Sequence, residues 1–228
     1  MIKVTGLTVA YSGEPVLKDI SIGFENKMVH GIVGLNGAGK TTFFNTMSGM
    51  LKQDSGDIMM DENPLSVKDT GYLETSNFFY SKITGNEYLK IFRQTNPNFN
   101  LKVLEEVMKL PLDELVEGYS TGMKKKLALL GLLKQDKKIY LLDEPFNGLD
   151  LETNKVLELI ISALKAKEKL LFVSSHIIEP LLHTCDYIHY LKEGRFIKTY
   201  TRDQYAHIEE DVFGALKRQM TELVNSSV

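Results

Sequence analysis

Apolar positions recur along the chain with two periods, and their alternation marks out the elements. Lys3 to Ala10 alternates loosely and stops at Tyr11-Ser12-Gly13, which predicts an edge strand closed by a turn. Leu17 to Phe24 predicts a second strand and Met28 to Val33 a third. Ser55 to Asp61 reads as a turn into a further strand, and Thr70-Gly71-Tyr72-Leu73 as a short strand entry. Ile139 to Leu142 and Lys169 to Val173 are apolar without alternation, the pattern of strands buried on both faces. Leu151 to Lys167 has the helical period. Tyr187 to Leu191 and Arg195 to Tyr200 predict strands around the turn Lys192-Glu193-Gly194, and from Ile208 a polar helix leads into a frayed tail.

From about Glu74 to Leu133 the strand signals vanish. Thr84-Gly85-Asn86-Glu87 places Thr at a helix N-cap with Glu three residues on, a capping box. Asn96-Pro97-Asn98 is a breaker. Leu101, Leu104, Val107 and Met108 share one helical face until Pro111 interrupts. Leu127 to Leu133 is apolar and helical, and the run Lys124-Lys125-Lys126 before it predicts a solvated helix face in preference to a phosphate-binding patch. Strand–helix alternation on both sides of this stretch predicts an α/β fold with a mostly parallel sheet and a helical insertion.

Composition narrows the picture. A chain of 228 residues fits one large domain or a domain with a subdomain. A net charge of -3 argues against nucleic-acid binding through bulk positive charge. With Cys185 as its single cysteine the chain forms no internal disulfide, and a reducing compartment is the simpler setting. Met1 to Gly6 lacks a signal-peptide core, and no apolar run approaches the roughly 18 residues of a membrane span. Bilayer segments for any membrane role must then come from another chain.

The candidate chemistry centres on Gly34-Leu35-Asn36-Gly37-Ala38-Gly39-Lys40-Thr41-Thr42. It follows the strand-type run Val29 to Val33 and opens a helical run, the order of a phosphate cradle. Glycines permit positive φ and clear side chains from the phosphates, so successive N–H groups and the helix dipole face the anion. Lys40 supplies a full charge for β- and γ-phosphates, and Thr41 a hydroxyl for Mg²⁺. Asp143 and Glu144 end the buried strand Ile139 to Leu142, where ligands sit in open α/β sheets; an acidic pair there can address a metal and a water. Glu144 also reads as a helix-start carboxylate. Tyr11 reads either as a platform for a purine base or as a half-buried strand-end tyrosine.

The order of motifs resembles the ATP-binding subunit of ABC transporters over nearly the whole chain to about Tyr200. The phosphate loop is followed by Tyr119-Ser120-Thr121-Gly122-Met123, similar to the family's signature at the start of a helix. Leu141-Leu142-Asp143-Glu144-Pro145 resembles the Walker B strand, Asn147-Gly148-Leu149-Asp150 the D-loop, and His176 the switch histidine. The resemblance implies a P-loop NTPase core with an N-terminal antiparallel β subdomain. Residues 1–73 and 134–228 would form the ATP-binding core with that β subdomain, and 74–133 the helical signature subdomain. It implies that Tyr11 stacks on adenine, that Gly34 to Thr42 bind the phosphates of ATP, and that Thr41 and Asp143 hold Mg²⁺. Glu144 would be the general base and His176 would contact the γ-phosphate. Ser120, Thr121, Gly122 and Met123 would complete the site of a second, facing ATP-binding subunit, in a homodimer or heterodimer, and Asp150 would link the two sites. His30, His183, His189 and His207 lack such context and read as structural.

Two departures qualify the likeness. Thr121 and Met123 stand where the signature usually has glycine and glutamine, and the Met is similar to bacterial exporter subunits of the drug, lantibiotic or bacitracin type. The glutamine that usually follows the Gly-Tyr-Leu strand is replaced by Thr75 with Glu74 beside it. Either Glu74 substitutes or water completes the metal shell. The implied protein is an ATPase subunit, cytoplasmic and peripheral on the inner face of the plasma membrane, working with integral membrane transporter subunits on another chain. The alternative is a nucleotide-gated regulatory module with slow or no hydrolysis; a P-loop kinase or GTPase has no use for Tyr119 to Met123 or His176. Phe78-Phe79-Tyr80 reads equally as a docking surface for membrane subunits or as local core packing.

Overall fold

The computed structural model describes residues 1–227, without the side chains at 215–216, 218–219, 222–223 and 225–227. Two sheets and a group of helices build it. The first sheet comprises β1 (Ile2–Tyr11), β2 (Glu14–Phe24), β4 (Ser55–Met60) and β5 (Asn63–Pro64), in the order β2-β1-β4-β5 and antiparallel throughout. The second comprises β3 (Val29–Val33), β6 (Thr70–Leu73), β7 (Ile139–Leu142), β8 (Leu170–Ser175), β9 (Tyr187–Lys192) and β10 (Arg195–Thr201), in the order β10-β9-β3-β8-β7-β6. Its pairs are parallel except β9 with β10. Those two are joined by Glu193 (φ 50°) and Gly194 (φ 81°), two positive φ values that suit the twist of a tight hairpin.

The expectation of an edge strand at Lys3 to Ala10 is corrected: β1 pairs with β2 on one side and β4 on the other. Its Ile2, Val4, Leu7 and Val9 side chains are buried while the alternate positions are polar or small, the mark of one covered face. Which edges are paired depends on residues far along the chain, so alternation alone could not tell an edge from an interior strand.

The apolar runs without alternation are buried on both faces, as expected for central parallel strands. Period two then divides them between two cores. Ile139 and Leu141 of β7 pack with Phe43, Phe44 and Met47 of α1 (Lys40–Met47) and with the inner face of the antiparallel sheet. Tyr140 and Leu142 face the other way, toward the helices. Those helices are α2 (Gly85–Ile91), α3 (Leu101–Met108), α4 (Thr121–Leu133), α5 (Leu151–Ala166), α6 (Glu179–Thr184) and α7 (Ile208–Ser227). Helices α2 to α4 follow one another between β6 and β7 with no strand among them. The capping box at Thr84 and Glu87 forms as read, starting α2. On α3, Leu101, Leu104 and Met108 pack inward, but Val107 is exposed, a correction to the four-residue face; the helix is eight residues long and ends at Lys109 in the left-handed region. The frayed tail is helical to Ser227, and Val228 lies outside the described residues.

His30 on β3 and His189 on β9 are buried side by side, ringed by Phe24, Phe172, Tyr187 and Phe196. Their tautomers follow from their partners. His30 Nε2 lies 2.9 Å from the Glu25 carbonyl and must donate. His30 Nδ1 therefore accepts from His189 Nε2 at 3.0 Å, and His189 Nδ1 accepts from the Thr199 hydroxyl at 2.9 Å. His30 cannot gain a proton at Nδ1 without losing the bond from His189, and His189 can gain one only if the Thr199 hydroxyl turns to accept. Burial pushes His189 down to about 3, with His30 adding to the effect; burial also lowers His30, against the opposing pull of Glu25 and Asp186. Both rings are neutral when folded and titrate near 6.5 when unfolded. Their contribution to stability is present above about pH 6.5 and is lost as pH falls below it, by up to about 1.4 kcal/mol per pH unit for each histidine. Urea unfolding between pH 7.5 and 5 should show this slope. His189→Gln, which keeps a donor and an acceptor without a titrating ring, should flatten it; an equal slope in the variant would assign the acid sensitivity elsewhere.

Candidate functional site

The site lies at the C-terminal ends of β3, β7 and β8. Strand β3 stops at Val33, the loop Gly34 to Gly39 turns, and α1 begins at Lys40. Gly39 sits at φ 108° as the N-cap, and α1 has no side-chain cap. Its first-turn N–H groups are thus left to an anion. Gly34 is required for close approach: a Cβ there would stand 2.4 Å from the Leu191 carbonyl oxygen.

Lys40 is nearly buried. Its Nζ donates to the Gly34 carbonyl at 2.7 Å and lies 3.3 Å from Glu144 Oε1. Thr41 Oγ1 donates to Asp143 Oδ2 at 2.7 Å, across 102 positions of sequence. Asp143 is fully buried; Ser174 Oγ donates to its Oδ1, and the Tyr72 hydroxyl to Oδ2 at 3.4 Å. Glu144 stands in the left-handed region at φ 48°, and its N–H donates to Ser174 Oγ at 2.9 Å. Its Oε2 accepts from the His176 N–H at 3.3 Å and lies 2.8 Å from His176 Nδ1. The Glu144 carboxylate thereby bridges Lys40 and His176. A cleft of about 590 Å³ opens over this group, lined by Asn36 to Thr42, Val16, Thr75, Glu144, Asn147 and His176.

The structure separates other predicted residues from the cleft. Tyr11 is exposed at the end of β1 and does not line it, whereas Val16 does. Gly34 and Leu35 contribute their carbonyls to Lys40, Leu35 at the longer distance of 3.5 Å. Ser120 caps α4, its Oγ accepting from the Met123 N–H at 3.2 Å; with Thr121 and Gly122 it lies outside the cleft of its own chain. Asp150 caps α5, where hydrogen bonds from the Thr153 N–H and hydroxyl hold its carboxyl below the usual range.

Several residues correct or sharpen the sequence reading. Thr75 faces the cleft, while Glu74 lines a separate groove with Tyr72, Phe78 and Tyr88. Burial there, reinforced by Asp143, raises the Glu74 carboxyl. The lysine run is not a solvated face. Lys125 is buried, its Nζ donating to the carbonyls of Glu144 and Asn147, and Lys126 Nζ donates to the Met108 carbonyl at 3.1 Å. A lysine stem packs as an apolar chain, so a charge run misleads where carbonyls wait at its end. Ser174, two residues before His176 at the end of β8, ties Asp143 to Glu144 and belongs to no motif of the sequence reading. Phe78-Phe79-Tyr80 divides between its two readings: Phe79 packs on Tyr88, while Phe78 and Tyr80 are exposed and meet edge-to-face at 5.1 Å.

The family profile described as ABC transporter matches residues 17–147. The chain belongs to the ABC transporter family. Within that family it is similar to the ABC transporter ATP-binding protein YtrB of Bacillus subtilis (strain 168), 30% identical over 213 residues covering 90% of this chain and 73% of the relative. It is also similar to the lantibiotic transport ATP-binding protein SrtF of Streptococcus pyogenes, 27% identical over 217 residues covering 92% and 95%. A solved ATP-binding subunit of an ABC transporter superposes with a TM-score of 0.83 at 25% identity, covering 98% of this chain and 99% of that one. The ABC ATPase fold, with ATP as nucleotide, is thus that of this chain. No helix among the described residues is long and apolar enough to cross a membrane.

Proposed function

We propose that this ABC ATPase drives an exporter, closing on ATP with a second ATP-binding subunit and passing that closure to membrane subunits. The observation that carries the reading is the convergence of Lys40, Thr41, Asp143, Glu144 and His176 on one cleft from three strand ends. In this reading Lys40 and the N–H groups of the loop and α1 bind the β- and γ-phosphates. Glu144 orients the attacking water and accepts its proton, and His176, on the opposite side of that carboxylate, steadies it and reaches the γ-phosphate. The donors present suit Mg²⁺: Thr41 and the buried Asp143 offer one hydroxyl and one carboxylate, and a cation that keeps several waters needs few protein ligands. When bound, Mg²⁺ supplies charge neutralisation at the phosphate oxygens.

The position of Ser120 to Met123 outside their own cleft supports a role in the site of a facing subunit. The exporter reading is supported by Met123 and by the transport named for SrtF. Peripheral attachment at the cytoplasmic face of the plasma membrane follows the same reading, with exposed Phe78 and Tyr80 as docking residues. Thr75 in the cleft favours a second reading, a regulatory module with slow turnover. Light scattering tests the closure. With ATP and EDTA the purified chain should double in mass, and with ADP it should not, because a ligand that binds only the closed pair draws the equilibrium to it. Equal masses with both nucleotides would remove ATP as the element that joins the subunits.

A further inference from the structure

A buried ammonium is costly without partners. Lys125, on the second turn of α4, finds two carbonyl oxygens, Glu144 O and Asn147 O, each at 2.8 Å. These are the two ends of the turn after β7, which closes on itself through the Asn147 N–H donating to Glu144 O at 3.2 Å. Glu144 begins that turn at φ 48°, a conformation that non-glycine residues keep only where surrounding contacts enforce it. The contacts are identifiable. Ser174 Oγ fixes the Glu144 N–H at 2.9 Å from the β8 side, and Lys125 fixes its carbonyl from the α4 side. The same helix begins at Ser120, and its Gly122 lies so close to the end of the turn that a Cβ there would meet the Gly148 carbonyl at 3.2 Å. The backbone of Glu144 is therefore tied directly to the signature helix.

We propose that Lys125 is a positioning residue for hydrolysis: by anchoring the turn Glu144 to Asn147 onto α4, it aims the Glu144 carboxylate, so turnover depends on it and ATP binding does not. This rests on the reading of Glu144 as the base. Lys125→Met keeps the stem and removes the ammonium. Its kcat should fall about tenfold or more, since small misplacements of a catalytic group carry costs on this scale. Its Kd for ATP, read by titration, should stay within about twofold. Lys125→Arg, which restores donors to the same carbonyls, should recover most of the kcat. In a Glu144→Gln background Lys125→Met should lower the residual turnover little further, because the group it aims is already gone. If Lys125→Met fails to fold, Lys125→Gln, whose donor stops one atom short of the ammonium, is expected to show the same split in smaller measure, with kcat lowered and the Kd for ATP kept, and wild-type kcat in it overturns the inference. Wild-type kcat in Lys125→Met overturns the inference, as does a parallel loss of its kcat, ATP affinity and Tm. If Glu144→Gln keeps full turnover, the reading of Glu144 falls first; if Glu144→Gln is inactive and Lys125→Met is not, only the role of Lys125 falls.

Discussion

Glu144→Gln should lower steady-state ATP turnover by about 10²-fold or more, on the scale of removing a well-placed catalytic group. The amide is nearly isosteric and still accepts from the His176 N–H, now seen at 3.3 Å, so the geometry of the cleft should survive. What it lacks is the ability to take a proton from water. The same substitution should leave ATP binding intact or tighten it. In the protein Glu144 Oε1 lies 3.3 Å from Lys40 Nζ, so the carboxylate competes with a phosphate for that ammonium. Removing its charge frees Lys40 for the nucleotide. The expected result is therefore a split, with kcat lost and affinity kept or gained. Wild-type turnover in Glu144→Gln would take the base away from this residue.

The strand–loop–helix order around Gly34 to Thr42 was legible in the sequence because its signal lies in contiguous residues: Gly34, Gly39, Lys40 and Thr41 fall within eight successive positions. The buried strands Ile139 to Leu142 and Lys169 to Val173 were legible for a related reason, since burial on both faces leaves an unbroken apolar run. What failed was whatever depended on the partner rather than on the residue. Lys125 looked solvated because its two carbonyl acceptors lie about twenty positions downstream, in a turn whose shape no local pattern encodes. Lys3 to Ala10 looked like an edge because β4, its second neighbour, arrives only after the whole of α1. That Thr75 meets the cleft and Glu74 does not has the same origin: adjacent residues leaving β6 point to opposite sides, and only one side is the cleft.

Lys40→Ala should weaken ATP binding by about 10²-fold or more, since two or more charge-assisted hydrogen bonds, each contributing about 1.5–3 kcal/mol, are removed together. A second effect adds to the loss. Lys40 also neutralises Glu144, whose carboxylate is nearly buried beside the cleft. Without the ammonium that carboxylate faces the incoming phosphates held only by its hydrogen bonds with His176. The two contributions separate in a double-mutant cycle. In a Glu144→Gln background Lys40→Ala should cost less affinity than in the wild type where the unscreened repulsion outweighs the release of Lys40 from Glu144, and a larger loss there would assign the coupling to that release. The difference between the two losses measures the coupling of the pair. Calorimetric titration with ATP in all four proteins gives the cycle directly. Unchanged affinity in Lys40→Ala would mean that the phosphates bind elsewhere. Equal losses in the two backgrounds would mean that Lys40 and Glu144 are not coupled in ATP binding.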